Sequence, residues 1–370
     1  SVVTSGDAGY NGLALAPLSV SITDNDTAGI VLVESGGNTA VTEGGATDSY
    51  TLVLSSQPTA NVLIALSGTQ VTPSPTPIVF TTANWNAPQT VTVTAIDDAV
   101  VEGAHSGSIT SVVSSSDANY QGYALAPLSV AITDNDVPGV SVVQSGGNTA
   151  VAEGGATDSL SVVLQSQPSA NVTITLTGSQ VTPSPTPLSF TSANWNTPQT
   201  VTITAIDDAI DEASPHAGQL SFAVASSDTN YQGFAVAPIA IDVTDNDTAG
   251  ITLVESAGST AATEGGATDS YTLVLNSQPT ANVAIALSVG TQAQVSSGTV
   301  SFTSANWNTP QTVTVNAVDD NVVEGPHTAT ISHGVSSSDP NYSGYVLPAI
   351  TVAITDNDSA VVNFSAANVS

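Results

Sequence analysis

Short runs in which apolar residues alternate with Ser or Thr dominate this chain. Residues 90–94 have the sequence Thr-Val-Thr-Val-Thr, and this period of two predicts a strand with one buried face and one wet face. Clusters of Gly, Pro, Asn and Ser separate the runs, and no stretch of ten or more residues has a helical period. Between residues 27 and 136 the pattern predicts seven strands, at 29–34, 49–55, 61–67, 78–81, 89–96, 106–113 and 128–133.

The same pattern recurs along the chain. The segment Thr-Asp-Asn-Asp occurs four times, with its first Asp at positions 24, 134, 245 and 356. A period of roughly 110 residues is the size of an independently folded domain and is too long for a solenoid repeat. We therefore predict three full repeats, at 27–136, 137–247 and 248–358. Residues 1–26 are expected to end an earlier repeat, and residues 359–370 to form the first strand of another, as in a segment of a longer protein.

Seven short strands in about 110 residues are typical of a two-sheet, immunoglobulin-like sandwich. The sequence predicts an all-β protein of tandem seven-stranded antiparallel β-sandwiches in a linear array. Pro73, Pro75 and Pro77 are spaced in a way that no central strand would accept. No linker separates the repeats, so neighbouring repeats are expected to abut.

The charge of the chain limits its partners. There are 31 acidic residues, no Lys or Arg and four His, for a formal net charge of −31. This excludes ordinary nucleic-acid binding and argues against docking on anionic membranes. No apolar run approaches the roughly 20 residues of a membrane helix, so direct membrane insertion is not expected. Cysteine is absent, which rules out disulfides and Cys-based zinc sites.

Three acidic motifs recur in register in each full repeat. They are Glu-Gly-Gly, an Asp-Asp pair followed by Glu, and Asp-Asn-Asp. In a seven-stranded sandwich they fall at the kink of the first strand, in the loop between strands five and six, and at the end of strand seven, so they can meet at one end. Crowded carboxylates repel one another unless something positive lies between them. The alternative is that the acids only solvate loop ends.

Calcium is the expected counter-ion for these carboxylates, because it takes six to eight oxygen ligands from carboxylates and carbonyls. Oxygen-only ligands argue against zinc and copper. The histidines of the repeats, such as His105, lie one per repeat and are not expected to cluster with one another around a metal.

The motifs at 41–45, 95–103 and 130–136 resemble those of Calx-β domains, and the resemblance covers each full repeat. It implies a calcium-binding β-sandwich of the kind found in sodium–calcium exchangers and in very large bacterial surface proteins. By motif match, the resemblance implies that the calcium ligands are Asp24, Asp26, Glu43, Asp97, Asp98, Glu102, Asp134, Asp136, Glu153, Asp207, Asp208, Glu212, Asp245, Asp247, Glu264, Asp319, Asp320, Glu324, Asp356 and Asp358.

The chain departs from the exchanger-type pattern in several places. Asp97 and Asp98 are followed by Ala99 in place of a third Asp, and a further acid three residues beyond Glu102 appears here as His105. The Pro-rich segment 73–77 stands where those domains have an Asp. We therefore expect one or two ions per repeat, not four. Ala213 replaces the Gly that follows Glu102 in the first repeat, so the second site is expected to differ slightly.

Other recurrent residues have structural interpretations. Trp85 and its counterparts are expected to plug the end of each sandwich core, and Tyr120 and its counterparts to latch a corner. Asp48 is expected to cap a turn. No nucleophile, base and orienting acid recur together, so the chain is not expected to be an enzyme.

These observations predict a structural protein. The chain is expected to be a calcium-rigidified segment of an extracellular or cell-surface adhesin or filament, of bacterial origin by the resemblance, that acts as a stiff spacer. The absence of Lys and Arg leaves trypsin-like proteases no cleavage site. Its expected partners are neighbouring repeats and other copies of the chain in a fibre. The alternatives are a calcium-dependent carbohydrate- or receptor-binding module and a calcium-sensing regulatory domain.

Overall fold

A computed structural model describes residues 1–362 of the chain. Within these residues the regular structure consists of short β-strands and three single-turn 3-10 helices, Ser35–Gly37, Ser145–Gly147 and Ser256–Gly258. The predicted all-β class and the tandem sandwiches are confirmed. No helix of the described part is long and apolar enough to cross a membrane.

The first repeat contains nine strands. They are β1 (Ile30–Glu34), β2 (Ala40–Thr42), β3 (Asp48–Leu54), β4 (Val62–Thr69), β5 (Val71–Ser74), β6 (Ile78–Phe80), β7 (Gln89–Ala95), β8 (His105–Ser115) and β9 (Leu128–Thr133).

The second and third repeats follow the same order. The strands of the second repeat are β10 (Val140–Gln144), β11 (Ala150–Ala152), β12 (Asp158–Leu164), β13 (Val172–Ser179), β14 (Val181–Ser184), β15 (Leu188–Phe190), β16 (Gln199–Ala205), β17 (His216–Ser226) and β18 (Ile239–Thr244). Those of the third are β19 (Ile251–Glu255), β20 (Thr260–Thr263), β21 (Asp269–Leu275), β22 (Val283–Val289), β23 (Ala293–Val295), β24 (Thr299–Phe302), β25 (Gln311–Ala317), β26 (His327–Ser337) and β27 (Ile350–Thr355).

Each repeat folds into a four-stranded and a five-stranded sheet. In the first repeat the orders are β1-β3-β7-β5 and β2-β9-β8-β4-β6, and both orders recur in the other repeats. All neighbours are antiparallel except β2 and β9, which pair in parallel with Ala40 opposite Ala131. This parallel pair brings the ends of two distant segments to the same edge.

Two features raise the strand number above the predicted seven. The first strand is split by the 3-10 turn at Ser35–Gly37, where Gly36 has a φ of +65°, so β1 and β2 lie in different sheets. β5 is an additional short strand at the edge of the four-stranded sheet. It contains Pro73, which an edge position tolerates because no partner there needs its missing N–H.

The core lies between the two sheets and follows the period-two pattern of the sequence. In β7, for example, Val91 and Val93 are completely buried while the intervening Thr residues are exposed. Trp85 packs against this core as a partly buried side chain, as predicted, and Trp195 and Trp307 do the same in their repeats.

Tyr120 is the corner latch that the sequence predicted. Its ring is 1% exposed, and its hydroxyl donates a hydrogen bond to Ser56 O at 2.7 Å and accepts one from Ser56 N at 3.2 Å. Tyr342 makes the same pair of bonds with Ser277. Asp48 ties the kink of the first strand, because it accepts hydrogen bonds from Ser35 and from Ala40 N. Both residues are therefore structural.

The chain divides into two compact units. One comprises Ser1–Pro138 with Ser166–Ser169, and the other Gly139–Gln165 with Ala170–Ser370. The second unit thus contains most of the second repeat and all of the third. The repeat boundaries given above stay predictions. Residues 363–370, on which most of the predicted further strand falls, lie outside the described residues.

We predict that Tyr120→Phe destabilises the first repeat by about 1–2 kcal/mol, because Ser56 loses two partly buried backbone hydrogen bonds. Hydrogen exchange resolved by peptide would place the effect in residues 50–60. Tyr123→Phe, at a neighbouring and partly buried ring, is the control and is expected to change stability by less than about 0.5 kcal/mol. Equal effects of the two substitutions would contradict the latch.

Candidate metal centre

The parallel pair β2–β9 begins the construction of the site. Glu43 directly follows β2 and Asp134 directly follows β9, and Glu43 N donates a hydrogen bond to Thr133 O at 3.0 Å. Since parallel strands end at the same edge, the Glu-Gly-Gly and Asp-Asn-Asp motifs lie side by side there. The same arrangement recurs at Glu153 N and Thr244 O and at Glu264 N and Thr355 O.

The loop between β7 and β8 brings the third motif to this edge. β8 pairs with β9, and Asp134 Oδ2 accepts hydrogen bonds from Glu102 N at 2.8 Å and Gly103 N at 2.7 Å. In the third repeat, Asp356 accepts the same two bonds, from Glu324 N and Gly325 N. The structure therefore brings all three acidic motifs of each full repeat together at one end of the sandwich.

The side chains form two groups of potential metal ligands that share Glu43. One group comprises Glu43, Asp134 and Asp136, and the other Glu43, Glu102 and His105; within each, the ligand atoms lie within 4.8 Å of one another. The corresponding groups of the second repeat contain Glu153, with Asp245 and Asp247 or with Glu212 and His216. We call the first kind the carboxylate group and the second kind the histidine group.

Glu43 is a buried carboxylate and Asp136 a half-buried one, and each has one buried oxygen that is unsatisfied. Glu43 is 2% exposed, and its Oε2 and the Oδ2 of Asp136 have no hydrogen-bond partner within residues 1–362. Burial, reinforced by the charge of Asp134, raises the pKa of both carboxyl groups. A buried, unpaired carboxylate costs several kcal/mol unless it binds a cation or a proton.

Asp134 is held in the charged form by the backbone. Burial raises the pKa of its carboxyl group, but hydrogen bonds from the N–H groups of Asp136, Gly103 and Glu102 outweigh burial and leave the pKa below its usual value. The site thus combines one carboxylate that is fixed in its charged form with two whose charges lack compensation.

Asp97 and Asp98, on the β7–β8 loop, lie beside the carboxylate group. They are exposed, and their charges are among the causes that raise the pKa of Asp136. Asp98 Oδ1 accepts a hydrogen bond from Val100 N at 2.8 Å, and Asp97 Oδ1 accepts one from Asn135 Nδ2 at 3.3 Å. Asp207, Asp208, Asp319 and Asp320 hold the equivalent loop positions in the other repeats.

Gly44 permits the close approach of these segments. Its φ is +59°, and a Cβ at this position would lie 2.8 Å from Asn135 Nδ2 and 3.2 Å from Asp97 Oδ1. A larger residue would push the Asp-Asp loop away from the Asp-Asn-Asp turn. Gly154 and Gly265 have the same backbone conformation and the same kind of neighbours.

Asp24 and Asp26 are not brought together with the other two motifs. Both are exposed, and they follow a segment in which the only pairing described is an isolated bridge between Val2 and Ala14. The sequence contains no Glu-Gly-Gly or Asp-Asp motif before residue 24 that would join them. Asp24 Oδ1 accepts a hydrogen bond from Asp26 N at 3.0 Å. The same bond forms the Asp-Asn-Asp turn of the full repeats, but here the turn lacks the Glu-Gly-Gly and Asp-Asp motifs.

Three residue types were missed by the sequence reasoning. His105 lies beside Glu43 and Glu102. We expected only that the histidines would not cluster with one another around a metal, and we did not consider a single His beside carboxylates. Its spacing of three residues from Glu102 was the available signal.

Gln70 and Asn135 also belong to the site. Gln70, with a φ of +58°, points its Nε2 at Glu102 Oε1 at 3.3 Å. Asn135 Nδ2 bonds to Glu43 O at 3.0 Å and so links two of the motifs. No signal in the sequence separates Gln70 from other surface glutamines, because its role depends on the turn between β4 and β5.

The carboxylate group suits a hard cation. It offers oxygens from Glu43 and the two Asp of Asp-Asn-Asp, the Asp-Asp pair lies beside it, and calcium prefers such oxygen ligands in flexible loops. The chain supplies no Lys or Arg to neutralise these charges. The buried, unpaired oxygens of Glu43 and Asp136 are the specific observation that fits a bound ion.

No protein-family model matches the sequence, and no curated protein does either. Among solved structures, the apo form of the Calx CBD1 domain is 19% identical and covers 29% of this chain and 98% of that domain, with a TM-score of 0.24. A CBD12 structure from CALX1.2 is 14% identical, covering 58% of this chain and 99% of its own, at a TM-score of 0.25. A segment of three immunoglobulin domains of titin is 9% identical. The match covers 90% of this chain and 100% of that segment, with a TM-score of 0.27.

We predict that Glu153→Gln changes how stability depends on pH in metal-free protein. Burial, together with Asp245 and Asp208, raises the pKa of Glu153 to about 7. A raised pKa stabilises the fold below the unfolded-state value near 4.5, and this contribution is lost as the pH rises through 7. The variant should therefore match the native chain near pH 4.5 and exceed its stability above pH 7.

Thermal unfolding in chelator, measured for both proteins across this pH range, tests the prediction. With saturating calcium the order should reverse at high pH, because the ion stabilises the charged Glu153. A stability difference that does not vary with pH would mean that Glu153 carries no buried charge.

Proposed function

We propose that the chain is a structural β-sandwich repeat segment, stiffened by calcium bound in the carboxylate group of each full repeat. The ion joins Glu43, from the edge of the five-stranded sheet, to the Asp-Asn-Asp turn and to the Asp-Asp loop. Its role is mechanical, since it fixes three chain segments that otherwise repel one another. The observation that carries the proposal is the pair of buried, unpaired carboxylate oxygens of Glu43 and Asp136 in a chain without Lys or Arg.

In the second repeat, the loop that carries Asp207 and Asp208 contacts the third repeat, and these contacts support a mechanical role. Within the second compact unit, Ala209 O accepts a hydrogen bond from Gln278 N, and Asp211 O accepts one from Asn341 Nδ2, both at 2.6 Å. Asp211 Oδ2 also accepts one from Ala249 N at 2.9 Å, in the segment that leads into β19. The loop that carries Asp207, Asp208 and Glu212 therefore touches the following repeat directly.

A calcium ion in the second repeat would thus act at the junction as well as inside the sandwich. Binding would fix the loop of Asp207 and Asp208 against the turn of Asp245 and Asp247. Because the same loop contacts Gln278 and Ala249, its ordering would also order the junction. Binding only to the folded form adds a free energy of about 2.7 kcal/mol at a hundredfold excess of calcium over its Kd.

An extracellular location fits this function. Millimolar calcium outside cells would keep sites of modest affinity filled, as in other extracellular modules. The lack of Lys and Arg denies trypsin-like proteases a cleavage site along the whole chain. We therefore propose a spacer in an adhesin or filament, whose partners are its own neighbouring repeats and other copies of the chain.

The test is the double variant Asp245→Ala, Asp247→Ala in the full chain. We expect it to lose the calcium bound by the second repeat while the other repeats keep theirs, as measured by calorimetric titration. Amide exchange at Ala249 and Gln278 should slow by up to about 100-fold in the native chain at hundredfold excess calcium, and should not respond to calcium in the variant.

Asp242→Asn is the matched control, because Asp242 is an exposed carboxylate on β18, the strand that Asp245 directly follows. It should leave both measurements unchanged. If the double variant keeps the full calcium stoichiometry, the carboxylate group is not the binding site. If it loses calcium but the junction amides of the native chain never respond to the ion, binding is local and the mechanical proposal fails.

A further inference from the structure

The histidine group has a chemistry that the carboxylate group lacks. His105 Nε2 lies 3.3 Å from Glu102 Oε2 and 3.6 Å from Glu43 Oε1. It has no hydrogen-bond partner within residues 1–362, although the atom is buried. An imidazole nitrogen thus faces two carboxylate oxygens at close range.

The hydrogen bond on the opposite side of the ring determines what Nε2 presents. His105 Nδ1 lies 2.9 Å from Gly103 O, and a carbonyl oxygen only accepts hydrogen bonds, so Nδ1 carries the proton. In the neutral ring Nε2 is then a lone pair aimed at two carboxylates. Metal-binding histidines characteristically donate their second ring N–H to a backbone carbonyl, which fixes both the tautomer and the orientation of the ring.

Glu43 gives an independent indication that a ligand belongs here. It is 2% exposed, its Oε2 lacks a partner, and its Oε1 is the atom nearest to His105 Nε2. Glu264 repeats this burial, with Oε1 lying 3.8 Å from His327 Nε2. Glu153 is 3% exposed with both oxygens unpaired.

The distances match those between the ligands of a small transition-metal ion. Zinc binds imidazole nitrogen and carboxylate oxygen at 2.0–2.2 Å, so neighbouring ligands of a tetrahedral ion are about 3.3–3.5 Å apart. The distances of 3.3 and 3.6 Å from Nε2 to the two carboxylates agree with this spacing. Calcium prefers oxygen ligands at longer range, so a nitrogen ligand favours zinc over calcium.

Glu102 is oriented for this role by a neighbour. Gln70 Nε2 lies 3.3 and 3.5 Å from its two carboxylate oxygens, and Gln180 and Gln292 make the same approach to Glu212 and Glu324. Such outer contacts hold a ligand in place before the metal arrives.

We propose that the histidine group of each full repeat is a zinc site, formed by His105, Glu102 and Glu43 in the first repeat, with the fourth position open to water. It lies beside the proposed calcium, and Glu43 is shared between the two ions. The site goes beyond the calcium proposal and does not depend on it, because its own nitrogen ligand sets its metal preference. His216 with Glu212 and Glu153, and His327 with Glu324 and Glu264, form the other two sites.

The second repeat is expected to bind zinc most weakly. His327 Nδ1 bonds to Gly325 O at 2.9 Å as in the first repeat, but His216 Nδ1 has no partner within the described residues. Pro215 and Ala213 change the loop there, so no carbonyl fixes the ring. Loss of such an outer contact typically weakens metal binding by about 10–100-fold.

The test uses the full chain, freed of metal and then saturated with calcium. Cobalt(II), a spectroscopic substitute for zinc, is titrated and followed by its visible absorption, and zinc is then added to displace it. We expect each chain to bind two cobalt ions more tightly and one more weakly, with the visible absorption of four-coordinate, tetrahedral cobalt. The imidazole nitrogen resonances of His105 and His327 should shift on addition of zinc.

The variant with His105→Gln, His216→Gln and His327→Gln should bind zinc about 100-fold more weakly or worse. His333→Gln is the matched control, because His333 bonds to Pro348 O and Tyr271 OH, away from the acidic motifs. Glu102→Gln with Glu324→Gln is a second variant and should remove the two tighter ions.

Calcium binding of each variant separates this proposal from the previous one. Retained calcium with lost zinc supports a distinct zinc site and shows that the variant is folded. The proposal is overturned if the triple variant binds zinc like the native chain, if zinc binds only by displacing calcium, or if the histidine resonances respond to acid but not to zinc, which would make a proton the partner of Nε2.

Discussion

Repulsion between uncompensated carboxylates is the constraint on which this structure depends. A chain with 31 acidic residues and no Lys or Arg has no permanently cationic side chain to neutralise acids that the fold brings together. Carboxylates that are exposed, such as Asp7 and Asp242, stay solvated and cost little. At one end of each full repeat, however, the fold buries Glu43 and one oxygen of Asp136, or their counterparts, and these charges stay uncompensated unless a cation or a proton binds.

The fold creates this demand through one short parallel pairing. The 3-10 turn at Ser35–Gly37 moves the chain from one sheet to the other, and β2 then runs parallel to β9 for three residues. That pairing places Glu43 beside the Asp-Asn-Asp turn, while Asp134 captures the loop of Glu102 through two backbone N–H groups. The sandwich architecture, the geometry of the acidic motifs and the contacts of the 207–212 loop with the third repeat thus form one connected arrangement.

Much of the fold follows from the sequence because period-two alternation sets the buried face of each strand. The predicted strands at 49–55, 89–96 and 128–133 match β3, β7 and β9 within one residue at each end. β2 was not predicted, because three residues are too few to show a period of two. β5 was not predicted, because it contains Pro73, which a central strand excludes but an edge strand permits. The meeting of the acidic motifs followed from topology, whereas the contacts of His105 with Glu43 and of Gln70 with Glu102 depend on side-chain geometry. The spacing of His105 from Glu102 was a signal for the first contact, and the sequence held none for the second.

The most direct test of the account is the unfolding of the unmodified chain at increasing free calcium, with magnesium at equal ionic strength as the comparison. Specific binding to the folded form predicts a stability that rises as RT ln(1 + [L]/Kd) and continues to rise above Kd. Magnesium should stabilise the chain far less, because it demands a tighter octahedral site and dehydrates reluctantly. Equal stabilisation by the two ions, or none by calcium, would show that the buried carboxylates are neutralised in another way and would contradict the central claim.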